Sequence, residues 1–302
     1  MLQATTLSAN GPAFSRLVAG VMKWGVWGAN LDANAMLRMI EGSLSLGIST
    51  FDHADIYSHY TTEKTFGDAL KQAPSLRQQM QLVTKCGIRM VTPNRPAHRI
   101  KSYDTSRAHI ISSVEQSLHN LHTDYLDLLL LHRPDPLLDP AEVAEAFHLL
   151  KEQGKVLHFG VSNFSVSQME MLAAHTDLVT NQVEASLVYL NPFQDGVFDH
   201  CLQKGIRPMA WSPLGGGDLF QQPGSEQVQR IRKAAQPIEE RYGLQFDQVL
   251  LAWLLRHPAG ILPVLGTSKL DRIELAAASL DVELEREEWF ALLEAATGYE
   301  VA

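Results

Sequence analysis

The stretch Thr50-Phe-Asp-His-Ala-Asp-Ile-Tyr57 decides how this chain is read. It completes the strand-like run 48–52 and offers a carboxylate, Asp52, five residues before a phenol, Tyr57. Two later apolar runs end in the same manner. Residues 81–85 finish on Lys85, and residues 126–131 run into His132. Strand-like runs that each deliver one polar group at the C-terminal end are the pattern of a parallel α/β barrel, whose active site lies at that end. Together Asp52, Tyr57, Lys85 and His132 form a proton-delivery set. An ammonium beside a phenol is expected to lower the phenol pKa, and a carboxylate keeps a buried ammonium charged. The imidazole is placed to orient the reacting oxygen.

Working outward, helical and strand-like segments alternate along the whole chain. Asp32 reads as a helix N-cap, followed by Met36, Ile40 and Leu44 at helical spacing and by Gly47 as terminator. Further helices are expected from residue 63 to 70, around Ile111, Val114, Leu118 and Leu121, and around Val143, Phe147 and Leu150. Strands are expected at 17–22, 48–52, 82–84, 125–131, 156–161, 178–183, 206–211 and 261–265. Such alternation argues for a parallel sheet covered by helices. Periodicity alone leaves a closed eightfold barrel and an open doubly wound sheet both open. No Gly-x-Gly-x-x-Gly turn follows the first strand, which counts against the usual open dinucleotide fold. Residues 87–105 form a long Arg-, Pro- and Asn-rich loop, a length that is uncommon unless functional or mobile. No low-complexity linker divides the chain, so 1–302 is read as one domain.

Composition narrows the function classes. A net charge of −9 disfavours a broad nucleic-acid or anionic-membrane surface. Cys86 and Cys201 are far apart and form no metal-type spacing. The start, Met1-Leu-Gln-Ala-Thr5, lacks the basic-then-apolar order of a signal peptide. No apolar run approaches the roughly 20 residues of a membrane helix. A cytoplasmic protein without a membrane or an obligate protein partner is expected.

Seven motifs resemble those of the aldo-keto reductases. They are Phe51-Asp-His-Ala-Asp-Ile-Tyr57, Val83-Thr-Lys85, Leu131-His-Arg-Pro-Asp135, Gly160-Val-Ser-Asn-Phe164, Asn181-Gln-Val-Glu184, Trp211-Ser-Pro-Leu-Gly215 and Pro263-Val-Leu-Gly-Thr-Ser268. They occur in family order across nearly the whole chain, and bacterial members described as general oxidoreductases are the nearest in pattern. The resemblance implies a (β/α)8 TIM barrel that binds NADPH without a Rossmann fold and reduces small carbonyl compounds. It implies Tyr57 as general acid, Asp52 and Lys85 as the pair that tunes it, and His132 as the residue orienting the carbonyl. It assigns Ser162, Asn163 and Gln182 to the nicotinamide carboxamide and Trp211 to stacking on the ring. Ser212, Leu214 and Gly215 fall along the pyrophosphate. Thr267, Lys269 and Arg272, with Gly266 and Ser268 beside them, fall at the adenosine 2′-phosphate. Met22, Lys23 and Trp24 after the first strand join the cofactor set, and Trp24 and Trp27 the substrate pocket.

Taken singly, these residues also have structural readings. Asp52–Lys85 is then an ion pair of the fold, Tyr57 a packed aromatic, and His132 a core histidine. Ser162 and Asn163 are helix caps, Trp211 is core, and Lys269 and Arg272 are surface cations. Three other functions stay open. Asp52, His53, Asp55 and His132 have the residue types of a barrel metal site, although no recognisable zinc spacing occurs. Lys85 at a strand end suits a Schiff-base lyase. A nicotinamide-binding regulatory subunit is the non-enzymatic alternative.

Overall fold

A computed structural model describes residues 4–221 and 224–302, so the first three residues of the N-terminal stretch read above lie outside it. Eight parallel strands close into a barrel. In chain order they are β1 (Val18–Gly20), β2 (Thr50–Asp52), β3 (Gln81–Cys86), β4 (Leu126–Leu131), β5 (Val156–Ser162), β6 (Asn181–Glu184), β7 (Met209–Trp211) and β8 (Leu262–Leu265). Each pairs with its sequence neighbour, and β8 pairs with β1 to complete the ring. Of the two architectures that periodicity left open, the chain adopts the closed one, a (β/α)8 barrel.

Several strands are shorter than their apolar runs. The run 206–211 contributes only Met209–Trp211, and 178–183 is replaced by Asn181–Glu184. Val179 and Ile206 in the leading parts of these runs are buried without extending the strands. Val179 packs inside the barrel, and Ile206 packs between barrel and helices. Hydrophobicity therefore marks burial there but not strand pairing.

Local chemistry explains the helices. Asp32 accepts from the Ala35 amide at 2.8 Å, and α1 (Ala33–Ser45) then buries Met36, Met39 and Ile40. The next helices are α2 (Thr62–Leu70), α3 (Arg107–Leu121), α4 (Pro140–Glu152) and α5 (Val166–Ala173). Asp139 caps α4, and Ser165 forms a capping box with Gln168 at α5. The cap of α5 is thus Ser165, and Ser162 and Asn163 are not used for capping. Glycine at 67 allows α2 to lie against α3, because a Cβ there would fall 2.0 Å from the Asn120 carbonyl oxygen. The outer ring continues with α6 (Val197–Lys204), α7 (Glu226–Tyr242), α8 (Phe246–Leu255), α9 (Leu270–Ala277) and α10 (Arg286–Thr297).

Two apolar layers hold the fold. Val18, Val83, Leu128, Leu130, Met209, Leu262 and Val264 fill the barrel interior. Leu7 and Phe14 join them from an N-terminal hairpin, Ala4–Thr6 with Ala13–Ser15, that covers the N-terminal end. That hairpin is too short to show strand periodicity in the sequence. The larger layer lies between sheet and helices. At the same end Arg77 stacks 3.9 Å from the Tyr125 ring centroid and pairs with Asp127 at 2.8 Å. The Asp127 carboxylate also accepts from the Leu82 amide, tying β3 to β4. The expected loop 87–105 is partly ordered as a hairpin of Ile88–Arg89 with Ser102–Tyr103.

Candidate active site

All eight strands point their C-terminal ends to one mouth, and the proton-delivery set gathers there. Asp52 ends β2, Lys85 lies near the end of β3, and His132 follows β4. Lys85 is 1% exposed and Asp52 2%. The Lys85 ammonium donates to Asp52 Oδ2 at 2.7 Å, to the His53 carbonyl at 2.7 Å and to the Tyr57 hydroxyl oxygen at 3.3 Å. Gln182 Nε2 donates to the other Asp52 oxygen at 2.9 Å. The Tyr57 and His132 rings stand edge to face, 6.1 Å apart.

The turn behind Tyr57 fixes its direction. Ser58, His59 and Tyr60 all have left-handed backbone, with φ of 52°, 61° and 69°. Non-glycine residues adopt this conformation only when surrounding contacts hold it. The Thr61 hydroxyl donates to the Ser58 carbonyl, and Asn94 donates to the His59 carbonyl. The Tyr60 hydroxyl donates to Ile88 O and accepts from the Met90 amide. Gly25 presses on the same turn, since a Cβ there would meet Ser58 Oγ at 2.3 Å.

The electrostatics differ in one respect from the expectation. Burial raises the Tyr57 pKa above its ordinary value. Lys85 acts in the opposite sense without reversing that shift, and Asp52 adds to it. Lys85 is itself held above the usual lysine value, because Asp52 and Tyr57 outweigh the burial that would lower it. Its buried ion pair with Asp52 favours the ammonium over the free amine a Schiff base requires. Burial, followed by the charges of Lys85, Arg133 and Lys101, holds His132 well below the ordinary histidine value, so the ring is neutral. Its Nδ1 is enclosed without a partner, which leaves Nε2 as the nitrogen with access to the cleft.

The residues matched to cofactor lie around the same mouth. Asn163, with φ of 61°, donates to Ser162 Oγ at 2.8 Å and accepts from Trp211 Nε1 at 3.0 Å. Ser162 Oγ donates to the Gln182 carbonyl at 2.8 Å. One network thus holds the Asn163 side chain and fixes the Trp211 ring, while the Gln182 side chain is held separately by Asp52. Ser212, Gly215 and Gly216 follow with positive φ, and Leu214 is half-buried between them. Thr267 and Ser268 are half-buried after β8. Lys269 and Arg272 stand exposed at the start of α9, with no carboxylate pair among the described residues. Hydroxyls and two unpaired cations suit an anionic phosphate. Met22 and Lys23 are exposed after β1.

Trp24 departs from its expected place. It is fully buried, and its indole N–H donates to the Thr267 carbonyl at 2.9 Å. It supports the loop after β8 from behind rather than lining a pocket. Trp27 does reach the mouth, 6.3 Å from the Tyr57 ring.

Other groups near the set were not assigned to the proton-delivery or cofactor residues from sequence, although Asp55 was weighed as a metal ligand. Glu63 is buried, accepting from Thr84 at 2.7 Å and Asn120 at 3.3 Å, and burial raises its pKa. Asp55, two residues before Tyr57, is pushed well above the carboxylate range by burial and by Glu63. Arg133 sits with its guanidinium 5.5 Å from the Trp211 ring centroid. Its place beside His132 was the available signal. Among the described residues no three His, Cys, Asp or Glu side chains converge to hold a metal ion, and no helix is long and apolar enough to cross a membrane.

Comparison with known proteins places this geometry in context. The model of the Aldo/keto reductase family matches residues 16–296. The chain is 48% identical over 291 residues to "Uncharacterized oxidoreductase YcsN" of Bacillus subtilis, covering 95% of this chain and 96% of that one. It is 45% identical over 290 residues to the 6-dehydroglucose reductase of Agrobacterium fabrum, with coverage of 95% and 96%. The solved structure of the thermostable aldo-keto reductase Tm1743, bound to the inhibitor epalrestat, superposes with a TM-score of 0.82 at 25% identity, over 97% of this chain and 99% of that chain. Members of this family reduce carbonyl groups and typically bind a nicotinamide cofactor. With a match that spans almost the entire barrel and relatives sharing nearly half its residues, the chain belongs to the aldo/keto reductase family of oxidoreductases.

Proposed function

We propose that the protein reduces aldehydes or ketones to alcohols with NADPH, using Tyr57 as the proton donor and acting as one domain over 1–302. The observation that carries this reading is the buried chain Asp52–Lys85–Tyr57 ending beside a neutral His132. NADPH, when bound, supplies the hydride. Ser162, Asn163 and Gln182 would hold its carboxamide, Trp211 its ring face, and Thr267, Lys269 and Arg272 its 2′-phosphate. The protein's own residues handle the proton. His132 Nε2 orients the carbonyl oxygen, and Tyr57 Oη gives that oxygen its proton. The raised pKa keeps Tyr57 protonated near neutral pH. An alkoxide is a far stronger base than a phenolate, so the transfer stays downhill. Lys85 then stabilises the phenolate until solvent replaces the proton.

A second reading of the substrate, a sugar-derived aldehyde, follows the relative named 6-dehydroglucose reductase. Half-buried Glu184 and Arg133 at the mouth favour an oxygen-rich compound.

Tyr57→Phe tests the mechanism. The ring is kept, so NADPH binding followed by fluorescence should survive, while aldehyde reduction falls by roughly 10²–10⁴-fold. Tyr60→Phe is the control, because the Tyr60 hydroxyl already serves Ile88 and Met90. Retained turnover in Tyr57→Phe, or loss only in Tyr60→Phe, contradicts the assignment.

A further inference from the structure

Two cations at the mouth have no task in the proposed chemistry. Arg133 follows the catalytic histidine and lies half-buried against the Trp211 ring, at 5.5 Å. Among the described residues it forms no ion pair. Its charge nevertheless reaches both Tyr57 and His132. Lys101, on the strand-flanked loop over the mouth, is exposed, equally unpaired, and close enough to act on His132. Lys85, by contrast, is neutralised by Asp52. Around these two, residues 87–105 add Arg89, Arg95 and Arg99 against the single acid Asp104, in a chain whose net charge is −9. Arg89 is paired with Asp104, whereas Arg95, over the Tyr60 ring, and the exposed Arg99 form no ion pair among the described residues. Of the cations left without an ion pair among the described residues, Arg133 and Lys101 are the two whose charges reach His132.

A half-desolvated guanidinium without a counter-ion is unfavourable until an anion meets it. Its planar fork binds a carboxylate through two parallel hydrogen bonds, and a ring beneath it restricts the fork to one plane. Glu184 at the end of β6 feels Arg133 but does not pair with it. From this juxtaposition we infer that the substrate is a carbonyl compound bearing a carboxylate or similar compact anion. Arg133 is the residue that selects it, and Lys101 adds a second, exposed charge. The inference rests on the carbonyl-reduction reading and specifies its substrate class. The sugar aldehyde of the second reading differs in lacking that anion.

The test compares kcat/KM with NADPH for matched aldehydes: 4-carboxybenzaldehyde against 4-methylbenzaldehyde, and succinic semialdehyde against butanal, with D-glyceraldehyde as a neutral hydroxylated probe. The parent protein should prefer the charged member of each pair, and the preference should shrink as salt is raised. Arg133→Met should cut the charged-to-neutral ratio by roughly tenfold or more, chiefly through KM, and Arg133→Lys should restore part of it. Lys101→Ala, at an exposed position, should lower the ratio by a smaller factor and keeps the test usable if Arg133→Met does not fold. NADPH binding is followed by fluorescence in every variant. Turnover of neutral aldehydes with no charge preference in the parent overturns the inference and leaves carbonyl reduction standing. So does a ratio that Arg133→Met does not change, or a loss that tracks NADPH affinity and so assigns the cation to the cofactor. An equally steep loss on D-glyceraldehyde assigns the fork to hydroxyl pairs and also overturns it. No turnover of any probe removes both readings.

Discussion

Replacing Lys85 by Met removes a charge while nearly keeping the side chain's volume. The ammonium is 1% exposed and holds three oxygens, those of Asp52, the His53 carbonyl and Tyr57. After the change the Asp52 carboxylate keeps only the Gln182 amide, in a site where it is 2% exposed. Breaking a buried pair by removing one partner costs about 3–5 kcal/mol, because the other charge is left uncompensated. At roughly 2–4 °C per kcal/mol for a domain approaching this size, the melting temperature should fall on the order of 10 °C. Asp52→Asn combined with Lys85→Met removes the stranded charge, so it should recover much of the stability without recovering turnover. Circular-dichroism melts of parent, both single variants and the double variant across the acid-to-neutral range give the stability cycle. Reduction of 4-methylbenzaldehyde should fall by about 10²–10⁴-fold in Lys85→Met and stay low in the double variant. A Lys85→Met protein that melts with the parent at neutral pH, or a double variant no more stable than Lys85→Met, would refute the buried-charge account.

Three further outcomes are expected. Arg272→Ala should weaken NADPH binding by roughly tenfold and leave NADH nearly unchanged, as read by fluorescence titration; equal losses would remove Arg272 from the 2′-phosphate. Gly67→Ala should destabilise by about 1–3 kcal/mol or more in denaturant melts, because its Cβ falls 2.0 Å from the Asn120 carbonyl oxygen and neither helix backbone yields easily; unchanged stability would show that α2 and α3 separate freely. Burial, then the Lys85 charge, lowers the His53 pKa to about 3, and neither ring nitrogen has a hydrogen-bond partner among the described residues. Its folded pKa is depressed, so its contribution is complete above the unfolded value near 6.5 and is lost as pH falls toward about 3. His53→Leu should flatten the acid limb of the stability profile in that window, and a slope identical to the parent's would count against the buried neutral ring.

Much of the barrel and of the polar cluster at its mouth was written locally. The three-and-four spacing of Met36 and Ile40 and the Asp32 cap specify α1 without reference to any distant residue. Leu126–Leu131 is buried except at Asp127, so a nearly continuous apolar run reports a strand covered on both faces. Because strand ends in such a barrel converge, naming the polar residue at each end also named the cluster at the mouth.

The tertiary structure decided what depends on distance across the fold. Nothing local relates Gln182 to Asp52, 130 positions apart, yet their hydrogen bond fixes the free oxygen of the carboxylate. The N-terminal hairpin that seats Leu7 and Phe14 inside the barrel has strands of three residues, too few to express a period. Trp24 and Trp27 stand three residues apart with the same side chain, and only packing sends one into the core and the other to Tyr57. The direction of the Tyr57 shift was likewise unreadable in the sequence. An adjacent lysine argues for a lowered pKa, but burial by neighbours from several strands opposes it and prevails. The chain's periodicity states which faces are hidden from water. Which hidden groups meet, and how dry each pair becomes, is set only when the barrel closes.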